Sequence, residues 1–242
     1  MTTTTKDKDV ECLVEPTSSL SISDKSSENV SSKTQQQPIN NNSNTETQDT
    51  EDTEEQTELN DNLIKHPLQN RWSLWYDYRG GKIDKDNWAD SLKRIISFDT
   101  VEDFWCVFNN LPGVVNLKTG SSYHLFKDDI EPKWEHTSNI KGGKWVAVLK
   151  DKSINDKLWL QTVMACVGET FDSGDEICGI VYNARSSGDK ISVWTKSCNE
   201  KSSKEIGFSF KNILETHQTV SFFSHEDAMR STTKSVRSLY DI

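Results

Sequence analysis

The chain has 242 residues and a formal net charge of −10, with 33% hydrophobic residues, five cysteines and eight tryptophans. The charge is uneven. Residues 1–63 hold four Lys, no Arg and fourteen Asp or Glu, a net of −10, whereas residues 64–242 balance twenty-four basic against twenty-four acidic side chains. The acidity therefore belongs to the N-terminal segment and does not exclude a folded part that binds an anion through a local basic cluster. No apolar run approaches the roughly 20 residues of a membrane helix, and the N-terminus lacks the apolar centre of a signal peptide. Cys12, Cys106, Cys166, Cys178 and Cys198 are odd in number, and no pair has the Cys-x-x-Cys spacing of a zinc or redox site. A soluble intracellular protein is expected, cytoplasmic first and nuclear second, with no metal and no cofactor.

Residues 1–63 contain thirty-two Ser, Thr, Asn or Gln, including the runs Gln35-Gln36-Gln37 and Asn40-Asn41-Asn42, and no aromatic. So little apolar surface does not offset ordering entropy, and a disordered tail is expected. Residues 64–242 suffice for one well-buried domain.

In chain order, Asn70 to Tyr78 reads as a strand broken by Arg79-Gly80-Gly81. Asp99-Thr100 is a helix-start signal for Val101 to Leu111, closed by Pro112-Gly113. Tyr123 to Lys127 and Lys144 to Lys150 alternate like strands, the second opened by Gly142-Gly143, and Asn155 to Glu169 is a second helix. Ile177 to Asn183 and Lys190 to Thr195 form a hairpin across Ser186-Ser187-Gly188-Asp189. Ser203 to Leu214 is a third helix, and Thr219 to Ser224 the closing strand. Hairpin strands with interspersed helices predict an α+β domain, an antiparallel sheet with its helices on one face.

All eight tryptophans lie between Trp72 and Trp194. Trp88 and Trp134 sit in polar stretches, Lys-Asp-Asn-Trp-Ala-Asp and Glu-Pro-Lys-Trp-Glu-His, where no periodicity asks for a large apolar side chain. They are candidate surfaces for a flat ligand. The first helix carries two apolar stripes, Val101, Trp105 and Phe108 against Phe104, Val107 and Leu111. In the second, Leu160 and Met164 lie well round from Leu158 and Trp159. Two arrangements fit: a groove for an amphipathic helix, or burial of both stripes within the domain.

Several blocks together carry a family resemblance. They are His66-Pro67-Leu68-Gln69-Asn70-Arg71-Trp72, Asp99-Thr100-Val101-Glu102-Asp103-Phe104-Trp105, and Phe126-Lys127-Asp128 leading to Ile130-Glu131-Pro132-Lys133-Trp134-Glu135. Lys141-Gly142-Gly143-Lys144-Trp145, Gly188 to Trp194 and Ser231-Thr232-Thr233-Lys234 continue the series nearly to the C-terminus. In this order they resemble eukaryotic translation initiation factor 4E, the mRNA cap-binding family. The resemblance implies a curved antiparallel sheet of about eight strands, backed by three helices on the convex face, and a non-enzymatic role in starting translation.

By the same resemblance, Trp88 and Trp134 would sandwich the 7-methylguanine base, whose delocalised positive charge suits two indole faces. Glu135 would accept two hydrogen bonds from its Watson–Crick edge, Trp194 would line the methyl-group pocket, and Arg185 and Lys190 would hold the cap phosphates. His66, Pro67, Val101, Trp105, Leu160 and Met164 match the residues that bind a 4G-type scaffold or 4E-binding repressors. The expected partners are thus capped mRNA and that scaffold, with one copy of the chain per initiation complex. Two positions depart from the pattern. Gln161 stands where members often carry Glu, and Ser231, the candidate phosphosite, lies closer to His225 than in the form it resembles.

Other functions fit poorly. A cap-cleaving hydrolase of the Gly-x5-Glu-x7-Arg-Glu type is absent, and Gly80-Gly81-Lys82 and Gly142-Gly143-Lys144 lack the spacing of a phosphate-binding loop. The competing reading is a cap-binding repressor or specialised isoform that does not recruit the scaffold. Such forms often replace one or both of the tryptophans matching Trp72 and Trp88, and this chain keeps both.

Overall fold

The computed structural model describes residues 64–78, 91–231 and 236–242; the expectations for residues 1–63, including the disordered tail, and for Trp88 fall outside them. Eight strands form one antiparallel sheet. In chain order they are β1 (Pro67–Tyr78), β2 (Lys93–Thr100), β3 (Ser121–Lys127), β4 (Gly143–Leu149), β5 (Ile177–Asn183), β6 (Asp189–Thr195), β7 (Ser221–Ser224) and β8 (Tyr240–Asp241). Across the sheet the order is β2-β1-β3-β5-β6-β4-β7-β8. Register shifts in the β1–β2 and β5–β6 pairings act as bulges, which bend and twist strands.

Three helices of ten or more residues, α1 (Val101–Asn110), α2 (Asn155–Val167) and α3 (Glu200–Ile213), accompany the sheet, with a short fourth, α4 (His225–Arg230). Helix starts follow local chemistry. The Thr100 side chain accepts from the Asp103 N–H, and Asn199 accepts from that of Ser202, which starts α3 three residues before the expected Ser203. Ser224 caps α4 in the same manner. α2 ends at Val167 rather than Glu169, because the chain turns left-handed at Glu169 with φ 52°.

Strand alternation sorts side chains onto two faces. One face is the main core: Trp72, Leu74, Leu125, Trp145, Ile180, Tyr182, Ile191, Val193 and Phe222 of the sheet, against Phe104, Leu158, Trp159, Val163, Ile206 and Phe210 of the helices. Each such side chain contributes roughly 1.5–3 kcal/mol on burial. The indole N–H of Trp145 donates to the Ser203 carbonyl at 2.7 Å, fastening β4 to α3. Among the described residues the opposite face carries no such helix layer, and Trp134, Trp194 and Lys144 meet there.

Three elements carry no periodic signal in the sequence. β2 begins Lys93-Arg94-Ile95-Ile96, four exposed residues without alternation, because it is an edge strand. α4 has six residues and β8 two, too few for any periodicity to show.

Candidate functional site

On the open face, paired registers align a row of residues: Ser97, Ser73, Phe126, Gly179, Trp194, Lys144 and Phe223. Phe126 and Trp194 meet edge to face, with ring centroids 5.4 Å apart. Gly179 stands between them because nothing larger fits: a Cβ there would lie 2.4 Å from Phe126 Cγ. Around this pair a second, smaller cluster forms with Ile130, Cys178 and Val181, and Trp134 packs half-buried against it.

Trp134 is carried by the connection from β3 to β4. The fully buried Asn139 staples that connection, its Nδ2 donating to the carbonyls of Glu131 at 2.9 Å and Lys133 at 2.8 Å. The Cys178 thiol donates to the Ser138 carbonyl at 3.4 Å. These contacts fix the turn that presents Trp134 beside the exposed Glu135. The polar stretch around Trp134 thus holds an indole outside the main core, as its sequence context predicts. Trp194 is 5% exposed and forms the floor of the same corner, in contact with the His225 ring at a 4.3 Å centroid distance. Lys144 reaches both indoles, its Nζ 5.7 Å from the Trp134 ring and 5.8 Å from that of Trp194. His225 is fully buried, and burial first, then the Lys144 charge, pushes its imidazole down to about 3.

Arg185 and Lys190 flank the β5–β6 turn. Gly188 adopts φ 111°, a conformation costly for other residues. The turn is anchored from below by Asp189, which is 8% exposed. It accepts from the Arg185 N–H at 2.9 Å, the Tyr182 hydroxyl at 2.7 Å and Asn155 Nδ2 at 3.0 Å. Asn155 begins α2, so the hairpin tip is tied to the helix layer. The Arg185 guanidinium donates to the carbonyls of Ser121 and Ala184, the Ser122 hydroxyl and Asn183 Oδ1, at 2.8–3.1 Å. Four neutral acceptors therefore hold its plane at the open-face end of β3 and β5. Nearby on that face, the buried His124 and Asp77 lie 3.6 Å apart.

The residues expected to dock a scaffold lie on the helix side. His66 is locked to the start of α1: its N–H and Nδ1 engage the Glu102 carboxylate at 2.9 and 2.6 Å, and its carbonyl accepts from the Val101 N–H. The His66 hydrogen bonds hold the Glu102 carboxyl below its ordinary range. Val101, Trp105 and Met164 remain 37–40% exposed, and Leu160 is half-buried, while Phe104, Leu158 and Trp159 turn into the core. Full burial of both stripes is therefore not what the structure has: Val101 and Trp105 face outward, while Phe108 of the same stripe packs against the core. The Gln161 Oε1 is buried without a hydrogen-bond partner among the described residues. Ser231 closes α4, its N–H bonded to the Asp227 carbonyl at 3.0 Å.

Four contributors to the site do not stand out in the sequence: Lys144, Gly179, Asn139 and His225. Gly179 interrupts an otherwise apolar strand, a known mark of close approach, and could have been found; the others depend on register and on loop closure.

Residues 67–239 match the family model described as eukaryotic initiation factor 4E. Over 249 aligned residues the chain is 60% identical to eukaryotic translation initiation factor 4E of Dictyostelium discoideum, covering 98% of this chain and 99% of that protein. A bean relative, initiation factor 4E-1 of Phaseolus vulgaris, is 42% identical over 68% of this chain and 72% of its own. Among solved structures, C. elegans eIF4E-3 with the 4E-binding protein Mextli and a cap analogue superposes with TM-score 0.67 at 38% identity, covering 74% of this chain and all of that one. A schistosome eIF4E bound to m7GpppG and a 4E-binding protein gives 0.68 at 33%, with the same coverage. With the sheet order, the Trp134–Trp194 corner and the outward α1–α2 stripe in place, the chain belongs to the eukaryotic initiation factor 4E family.

Proposed function

We propose that the chain holds the 7-methylguanosine 5′ cap of messenger RNA on its open face and, across the sheet, recruits a 4G-type scaffold to start translation, a docking surface that 4E-binding repressors would share. The observation that carries the first half is the Trp134–Trp194 corner: two indoles outside the main core already bracket a positive charge, the Lys144 ammonium. A methylated base offers a flat, delocalised cation to the same surfaces. In this reading Trp88 and Trp134 stack the base, Glu135 accepts from its Watson–Crick edge, and Trp194 contacts the methyl group. Arg185 and Lys190 bind the phosphates. His66, Pro67, Val101, Trp105, Leu160 and Met164 form the scaffold seat, and Ser231 is a phosphorylation site.

Tryptophan quenching with 7-methylguanosine triphosphate tests the cap site. The wild type should bind it far more tightly than guanosine triphosphate, and Trp134→Ala should weaken binding by roughly 1–3 kcal/mol with melting unchanged. Equal affinity for the two nucleotides would refute the reading. One observation favours a form that holds the cap without the scaffold: Gln161 offers a basic partner no carboxylate. Retention of a 4G-type protein on a cap resin through this chain would decide against that form.

A further inference from the structure

Lys144 is the neighbour of Trp194 in the β4–β6 ladder and of Phe223 in the β4–β7 ladder, so an aliphatic stem lies along an aromatic row. Its ammonium does not extend into solvent away from the sheet. It lies within 6 Å of the centroids of both Trp134 and Trp194, rings carried by a loop and by a strand far apart in sequence. The same charge is felt by His225, the buried ring packed on Trp194. One ammonium on two indole faces is the arrangement by which proteins recognise cations, a cation–π pair at each ring.

We propose that Lys144 is the resident cation of the base pocket, occupying in the free protein the indole faces that a cationic ligand must take over. This rests on the cap reading of Trp134 given above. Two unit positive charges a few ångströms apart in a half-buried corner repel strongly, so a methylated base and the ammonium do not share the seat. The lysine withdraws when the base enters, and its lost contact with the rings is a cost that every base bears. A ligand with negative charge beside its cationic ring gives the displaced ammonium a new partner; a bare nucleoside does not. Lys144 therefore makes the base insufficient by itself and ties tight binding to the anionic part of the ligand.

The experiment compares wild type with Lys144→Met, which keeps the stem and removes the charge, using 7-methylguanosine nucleoside and 7-methylguanosine triphosphate as probes. Nucleoside affinity should rise by about three- to tenfold, the scale of one cation–π contact, while triphosphate affinity should not rise. The ratio of the two affinities falls. The conservative Lys144→Arg, which keeps a cation on the rings, should leave the nucleoside weak. A lysine that only supports the fold would lower both affinities with the melting temperature, and unchanged or weaker nucleoside binding by Lys144→Met overturns the proposal. A second readout needs no variant: the Lys144 ε-methylene protons of the free wild-type protein should be shifted upfield by the two rings and should lose that shift when nucleoside is added. Its absence from the free protein also overturns the proposal. Failure of the wild type to bind the methylated triphosphate at all would instead strike the cap reading itself.

Discussion

The two faces of the sheet use the same residue type in opposite ways. On the helix-covered face Trp72, Trp145 and Trp159 are 0–4% exposed and interlock strands with helices. On the open face Trp194 is one of a five-residue cluster around Phe126 against which Trp134 packs, and Ser73 and Ser192 pair with its members Phe126 and Val181. A large ring in the first setting is needed because the fold requires its volume. In the second, Trp194 is itself buried at 5% exposure, and Trp134 packs half-buried against its cluster with the exposed Glu135 beside it. Indole content alone does not separate these settings; the face on which each indole lies does.

That contrast is broken most directly by exchanging the roles in a measurement. Trp145→Ala should cost about 3–5 kcal/mol of stability, since it empties a fully buried volume and removes the indole bond to the Ser203 carbonyl. Cap affinity should then fall only with the folded fraction, in contrast to Trp134→Ala. Chemical denaturation of the two variants beside their cap titrations checks this, and a destabilised Trp134→Ala would dissolve the distinction.

His225 touches both regimes, because it is buried like core yet packs on Trp194. Its imidazole titrates at about 3 in the folded chain against about 6.5 when unfolded. Between those values the unfolded chain binds a proton that the folded chain does not, so its contribution to stability is complete above pH 6.5 and erodes as pH falls toward 3. The loss reaches a few kcal/mol at the acid end, because each pH step of one between the two values removes on the order of 1.4 kcal/mol. Melting curves from pH 7 to 4 should fall less steeply for His225→Phe than for wild type, and parallel curves would show that the ring is not held neutral by burial.

Trp105 sharpens the comparison from the helix side. At 39% exposure it contributes little to the core, so Trp105→Ala should leave melting and cap titration in place while a 4G-type helical peptide loses about 2 kcal/mol or more. Calorimetry with the peptide checks it; loss of both activities with the fold would return Trp105 to the core.

The smallest expected effects separate charge from shape within the open face. Lys190→Ala should weaken triphosphate binding by roughly 1 kcal/mol and flatten its salt dependence, whereas Glu135→Gln should weaken binding with the slope kept. Titrations at several ionic strengths distinguish them, and identical slopes for wild type and Lys190→Ala would remove Lys190 from the phosphate site.

The sequence by itself determined the elements whose side chains repeat with a period and whose ends carry caps. α1 begins at the expected Val101 because Thr100 and Asp103 are local, β5 matches its expected bounds, and the two stripes of α1 follow from helical geometry. It also isolated Trp134, since a ring in a polar stretch stands out without any partner. Tertiary structure alone decided which stripe faces outward, because that depends on what β1, β3 and α2 bury, and it alone supplied β2, an edge strand whose exposed residues leave no alternation to read. The neighbours of Trp194 are likewise a matter of register. Lys144 is fifty residues away along the chain and opposite it in the ladder, and Gly179, Asn139 and His225 act through space on rings they do not adjoin in sequence. Local chemistry writes helices and caps into neighbouring residues; long-range strand pairing assembles the site, and no window along the chain contains it.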